Sequence, residues 1–285
     1  MEASKADRIF GNIYKIIEPA EHLRDYVKDY MLLHFVSDKN LPKPVKPFPA
    51  NTDHCLVFYI RGSLNSFDLS LNQYELFPKI AVNGSQISPF DFHLPNEFLM
   101  FSINFQPGAI SKFIKATLLD FTNKRIDAEA VLGCEVRQAY EQMTTANTYH
   151  QIVQIAEKYL WDRIRKIKFH YQPLDQAGKI ILQNHTDFNL AKMADMACLS
   201  IRQFERRFEQ NFGITPKFYS RINRFYYAFR IKDRNPKIDW LTVAIHSGYH
   251  DYQHLVKDFK QFAGGSPNSL IEAQSRAPER LLRFD

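Results

Sequence analysis

An internal repeat in the last 110 residues limits what this chain can fold into more than any other feature. One copy holds Met193-Ala194, Ser200, Phe204, Phe208, Gly213 and Thr215-Pro216. The other holds Val243-Ala244, Gly248-Tyr249, Leu255, Phe259, Gly264 and Ser266-Pro267, about 50 residues further on. A small Ala at 194 and 244 lets two helices cross steeply at close approach, as the helix-turn-helix motif requires. Cys198-Leu199-Ser200 and Gly248-Tyr249-His250 are then the tight turns, with Ser200 and Asp251 capping the second helix of each unit. Phe204 and Phe208 share one helix face, and Leu255 and Phe259 repeat that spacing. Gly213 and Gly264 read as C-caps, where positive φ suits glycine. Thr215-Pro216 and Ser266-Pro267 supply a cap and an N1 proline that start the next helix.

The charge pattern agrees with this repeat. Between Arg202 and Lys237 stand ten basic residues and three acids, a local net of +7 in a chain whose total is +6. Positive charge confined to one segment is what a polyanion-binding face requires. Opposite the apolar seam, Arg202, Gln203, Glu205 and Arg206 project from the first unit, and Tyr252, Gln253, Val256 and Lys257 from the second. Arg pairs with guanine edges, Gln with adenine, and Glu accepts from cytosine, while Val256 could touch a thymine methyl. Ser200, Arg207, Lys217, Arg221, Arg224, His250 and Lys260 are the candidates for phosphate contact.

Residues Leu190 to Leu270 resemble the DNA-binding domain of AraC/XylS-type transcription regulators. Ala194, Cys198-Leu199-Ser200, Phe204, Arg207-Phe208, Gly213-Ile214-Thr215-Pro216, Arg224, Ala228, Val243-Ala244, Gly248-Tyr249, Phe259-Lys260 and Ser266-Pro267 carry the match. The resemblance implies seven helices, with a linker helix near Phe218–Asp233 holding two recognition helices about one DNA turn apart, roughly 34 Å. It also implies sequence-specific binding of double-stranded DNA, with RNA polymerase, a small-molecule effector and a second copy of the chain as further candidate partners. Departures are Phe229-Arg230-Ile231 after Ala228 in place of a Leu pair, Trp240 opening the second unit, and the run Ala263-Gly264-Gly265.

The other half reads differently, so the expected fold class is α+β with two domains. Prolines at 42, 44, 47, 49, 78, 89, 95 and 107 forbid long helices in the first 130 residues. Cys55–Ile60, Ile80–Val82 and Phe98–Phe105 are candidate strands, the last with Phe101, Ile103 and Phe105 on a core face. A short helix is expected over Ala109–Ala116. Tyr149–Ile167 carries apolar residues at helical spacing. The helices from about 131 to 168 are candidates for dimerisation, for signal transfer, or for packing on their own domain. Pro173 breaks the chain, so the domains are expected at 1–172, a sensor or regulatory unit, and 173–285. About Ile13 to Lys166 resembles the sensor-type domain attached to a subset of AraC-type regulators from Bacteroidetes-type bacteria, through Glu18-Pro19, Leu23–Tyr30 and Ile103–Ala109. This implies a β-rich domain, with a cupin-like barrel as one form of it.

Three widely spaced cysteines, Cys55, Cys134 and Cys198, make neither a disulfide framework nor the four-thiolate zinc site of DNA-repair methyl acceptors. His34, His54 and His93 lack the spacing of a cupin metal set, so neither a metal nor another cofactor is expected and the chain does not read as an enzyme. A cupin-type metalloenzyme fused to a helical domain, and a nonspecific DNA-binding protein, are the alternatives. No apolar run reaches the ~20 residues of a membrane span, and Met1 to Phe10 does not read as a signal peptide, so a cytoplasmic location is expected.

Overall fold

The computed structural model describes residues 12–38, 40, 43–68, 73–114, 116–167, 172–277 and 280. The segment Met1–Phe10 and residues 168–171 lie outside them. Ten strands come first: β1 Ile13–Ile17, β2 Val27–Val36, β3 Val45–Phe48, β4 Cys55–Arg61, β5 Asn65–Asp68, β6 Gln73–Leu76, β7 Ile80–Asn83, β8 Phe90–His93, β9 Glu97–Phe105 and β10 Arg125–Asp127. They form a six-stranded sheet, β1-β2-β9-β4-β7-β10, and a four-stranded sheet, β3-β8-β5-β6, with antiparallel pairing throughout.

The six-stranded sheet is covered on both faces. Along β4, Leu56, Phe58 and Ile60 enter one core while Val57 and Tyr59 enter another. Along β9, Leu99, Phe101, Ile103 and Phe105 face the first core, and Phe98 and Met100 the second. The expectation of one core face on β9 is therefore half of the arrangement. The second face is buried because Phe48, Phe90 and Phe92 of the smaller sheet pack across it.

Helices close the first core: α1 Ile110–Phe113, shorter than expected, then α2 Ala128–Leu132, α3 Glu135–Thr144 and α4 Tyr149–Ile164. α4 buries Ile152, Ala156, Leu160 and Ile164 against the sheet of its own domain. The Tyr149 hydroxyl meets His34 Nδ1 at 2.7 Å, and Glu157 accepts from the Ala20 N–H at 2.8 Å. Packing on its own domain is thus what α4 does in this chain, one of the roles considered for it.

The named helices that follow are α5 Pro173–Gln183, α6 Leu190–Met196, α7 Ile201–Phe212, α8 Pro216–Arg234, α9 Trp240–His246, α10 Tyr252–Ala263 and α11 Pro267–Ser275. α5 starts at Pro173, with Gln172 and Asp175 forming a reciprocal capping box. No helix among the described residues is long and apolar enough to cross a membrane.

Candidate nucleic-acid interface

Local chemistry fixes each helix-turn-helix in the same way. In the first unit the Leu199 N–H donates to the Ala194 carbonyl at 3.0 Å, and in the second Tyr249 N–H donates to Ala244 at 2.9 Å. Both Ala194 and Ala244 are buried at the crossing. The left-handed residue of the turn is Cys198 (φ 54°) in one unit and Gly248 (φ 74°) in the other. Ser200 then caps α7 and Asp251 caps α10. The turns lie 50 residues apart and the caps 51, so the second turn holds one extra residue. Gly213 and Gly264 end α7 and α10 in the left-handed conformation, and Thr215-Pro216 and Ser266-Pro267 start α8 and α11.

That extra residue sets the register of the second face. Counted from the caps, Gln253 matches Arg202, His254 matches Gln203, Val256 matches Glu205, and Lys257 matches Arg206. Tyr252 therefore matches Ile201, and it is half-buried against the helical core. His254, absent from the sequence expectation, takes the place of Gln203 and is exposed. Aligning the two caps instead of the two alanines would have found it.

On α7, Arg202, Gln203, Arg206 and Arg207 are exposed and Glu205 is half-buried, while Phe204, Phe208 and Phe212 are fully buried. The Gln203 side-chain oxygen accepts from the Ser200 N–H at 3.2 Å, closing a capping box, so its amide is partly committed within the protein. On α10, Gln253, His254, Lys257 and Lys260 are exposed and Val256 is half-buried. Lys217 at the start of α8 and His250 before α10 are exposed as well.

Arg221 and Arg224, also among the phosphate-contact candidates, stand against Asp258. Arg221 donates to Asp258 Oδ1 at 2.6 Å and to Gln261 Oε1 at 2.9 Å. Arg224 stands 3.6 Å from Asp258 Oδ2 and lies 4.5 Å over the Tyr249 ring. The Tyr249 hydroxyl donates to the same carboxylate at 3.0 Å. Asp258 is buried, and a buried carboxylate needs such partners. The cluster fastens the linker helix α8 to α10, so these arginines position the second unit.

Among the described residues, one group could hold a metal ion: His250, Asp251 and His254, with ligand atoms within 4.8 Å of one another. Asp251 is held below the usual carboxylate range, first by the His254 N–H that it caps. His34, His54 and His93 lie apart from each other. His34 meets Tyr149, His54 meets Ser85, and His93 packs against Phe67 and Tyr74.

Two packed sheets with flanking helices, joined to a tandem pair of helix-turn-helix units, define a two-domain protein whose second domain has the architecture of a DNA reader. Residues 193–273 match the family model described as a helix-turn-helix domain, and residues 15–127 match a domain of unknown function (DUF6597). The stretch 193–273 is thus a helix-turn-helix domain. An uncharacterized HTH-type transcriptional regulator of Haemophilus influenzae is 29% identical over 97 residues, 34% of this chain. The matched stretch spans 32% of that relative's length. ToxT from Vibrio cholerae has a similar structure, with 9% identity over 86% of this chain and 97% of its own and a TM-score of 0.48. The DNA-binding domain of AdpA, a global transcriptional factor solved in complex with a target DNA, is 24% identical over 37% of this chain and 95% of its own, with a TM-score of 0.34.

Proposed function

We propose that the chain is a sequence-specific DNA-binding transcription regulator that places α7 and α10 in successive major grooves and is modulated by a ligand of its N-terminal domain. The observation that carries this reading is the pair of equivalent exposed faces, Arg202, Gln203 and Arg206 on α7 and Gln253, His254 and Lys257 on α10. Each sits on the second helix of its own helix-turn-helix unit. Arg206 is the guanine-reading candidate, with Arg202, Gln203 and Glu205 beside it. Lys257 holds the corresponding place on α10, with Gln253, His254 and Val256 around it, and Tyr252 anchors that helix. Ser200, Arg207, Lys217, His250 and Lys260 lie where the phosphate backbone would pass, while Arg221 and Arg224 act through Asp258.

In vitro selection from random duplexes with the full-length protein tests the reading. Two short motifs spaced by one helical turn are the expected product. A nonspecific binder, for which the local +7 would serve equally well, enriches no motif and loses affinity steeply with salt. Specific binding instead loses about 1–3 kcal/mol for each key mismatch. RNA polymerase contact and dimerisation belong to the same proposal and are read from transcription assays and solution mass.

A further inference from the structure

Between the two sheets of the N-terminal domain lies a cavity of about 170 Å³. A row of polar residues crosses the inner face of the larger sheet at its edge. Asp29 of β2 stands opposite Asn104 of β9, and Asn104 opposite Cys55 of β4. Cys55 in turn stands opposite Asn83 of β7, and Asn83 opposite Arg125 of β10. All but Asp29 line the cavity, and its opposite wall is aromatic, made by Phe48, Phe90 and Phe92 of the smaller sheet. Most of the polar row is internally matched. Asn104 Nδ2 donates to Asp29 at 2.6 Å, and Arg125 donates to Gln86 at 2.9 Å while lying 4.0 Å over the Phe90 ring. The Asn83 side-chain oxygen differs: it is buried and accepts no hydrogen bond among the described residues. A buried acceptor without a donor is a feature that needs an explanation.

Of the three charged residues that line the cavity, Lys124 is exposed to solvent and the other two are met within the protein. Arg125 stands 3.5 Å from Glu75, and Asp53 stands 3.3 Å from Lys28. Size also limits the occupant, since an apolar cavity of about 150 Å³ holds one benzene ring. We propose that this cavity binds a small uncharged aromatic molecule with an edge donor, of the phenol or indole kind, its ring against Phe48, Phe90 and Phe92 and its donor on Asn83 Oδ1. The proposal rests on the N-terminal domain being the regulatory unit of a DNA-binding protein.

The segment between β3 and β4 shows how occupancy would reach the DNA-binding domain. Asn51, Asp53 and Cys55 line the cavity. The residues alternating with them grip three helices of the second domain. Ala50 N–H donates to the Phe262 carbonyl of α10 at 2.8 Å. The Thr52 hydroxyl donates to Asn223 Oδ1 of α8 at 2.8 Å. His54 Nε2 meets the Phe212 carbonyl at the end of α7 at 3.2 Å. Tyr226 of α8 itself lines the cavity. One extended segment therefore has the cavity on one face and both recognition helices and their linker on the other. A ligand that prefers one setting of this segment shifts the population of that setting.

The test uses the full chain and 4-fluorophenol, followed by fluorine NMR, with DNA affinity measured separately on the same protein. Saturable binding, displaced by indole and at least tenfold weaker for fluorobenzene, which lacks the donor, is the expected result. Asn83→Leu, or Asn83→Ala should the first fail to fold, removes the preference for the phenol. Failure to saturate, displacement by decanoate but not indole, or an unchanged preference in the Asn83 variants overturns the ligand class. DNA selection that succeeds while the probe fails sinks this inference alone; Asn83-dependent probe binding without any selected DNA sinks the regulator reading instead. Thr52→Val should keep probe binding but lose its effect on DNA affinity, and a wild-type response there overturns the route through residues 50–55.

Discussion

Arg206 and Lys257 hold equivalent places on two helices, five residues into each from its first residue, and both side chains are exposed. Truncating Arg206 to Ala removes a candidate bidentate donor without touching the core. Discrimination at one base position should fall by about 1–3 kcal/mol with the melting temperature unchanged. Repeating the site selection with the variant checks this, and an unchanged motif assigns readout to another residue. His54 makes a different prediction. It is buried against Phe212 and Ser85, and burial lowers its pKa to about 4 from 6.5. The unfolded chain takes up this proton first, so the neutral ring's contribution is complete above pH 6.5, declines as pH falls, and is gone once pH passes below about 4. Up to roughly 3 kcal/mol of stability is at stake across that window. Denaturant titrations of the wild type and His54→Gln at several pH values measure it. The variant's curve should be flatter between those limits.

At the scale of elements, the Asp258 cluster decides how α8 and α10 meet. Asp258→Ala would leave Arg221 and Arg224 partly buried without their carboxylate. Because both are about a third exposed, the expected cost is roughly 2–4 kcal/mol, toward the low end for a broken buried pair. Thermal unfolding measures the loss. DNA binding should fall chiefly through the second half-site, seen by footprinting the two motifs. The end of α7 is constrained as well. Gly213 has φ 80°, and a Cβ there would sit 2.7 Å from the Leu118 carbonyl oxygen and 2.8 Å from Thr122 Oγ1. Thr122 Oγ1 also donates to the Gly213 carbonyl at 2.7 Å. Gly213→Ala should therefore strain both the cap and the domain contact and lower the melting temperature, whereas Gly→Ala inside a helix stabilises by about 0.5–1 kcal/mol.

The two domains of the whole molecule meet through contacts with α5, α7, α8, α10 and α11. Ser85 Oγ donates to the Phe212 carbonyl at 2.8 Å, Ser111 Oγ to Asn211 at 3.0 Å, and Lys112 stands 3.5 Å from the buried Asp175. Ala50 is buried in the helical core, and Gln274 of α11 donates to the Pro47 carbonyl at 2.8 Å. The contacts of Ser85 and Ser111 set α7 against the sensor-like domain. A protein cut to residues 173–285 loses all of them and is expected to melt at a lower temperature than the same domain in the full chain. Hydrogen exchange at the end of α7 locates the change. Equal protection of α7 in both proteins would show that the N-terminal domain does not stabilise it.

Residue order by itself determined the two helix-turn-helix units, because their caps, glycines and phenylalanines act over one or two helical turns. Ser200, Gly213 and Thr215-Pro216 each specify a local backbone geometry that needs no distant partner. The strands at Cys55, Ile80 and Glu97 were legible for the same reason, through short runs of β-forming residues. Tertiary structure alone decided what those segments face. Nothing near Arg221 or Arg224 in sequence announces Asp258, which reaches them only when α10 folds back on α8. The row from Asp29 to Arg125 exists only once five strands from across the domain are paired in register. The division of residues 50–55 between a cavity and three helices likewise requires both domains, since long-range packing assigns the two faces of an extended segment and composition does not.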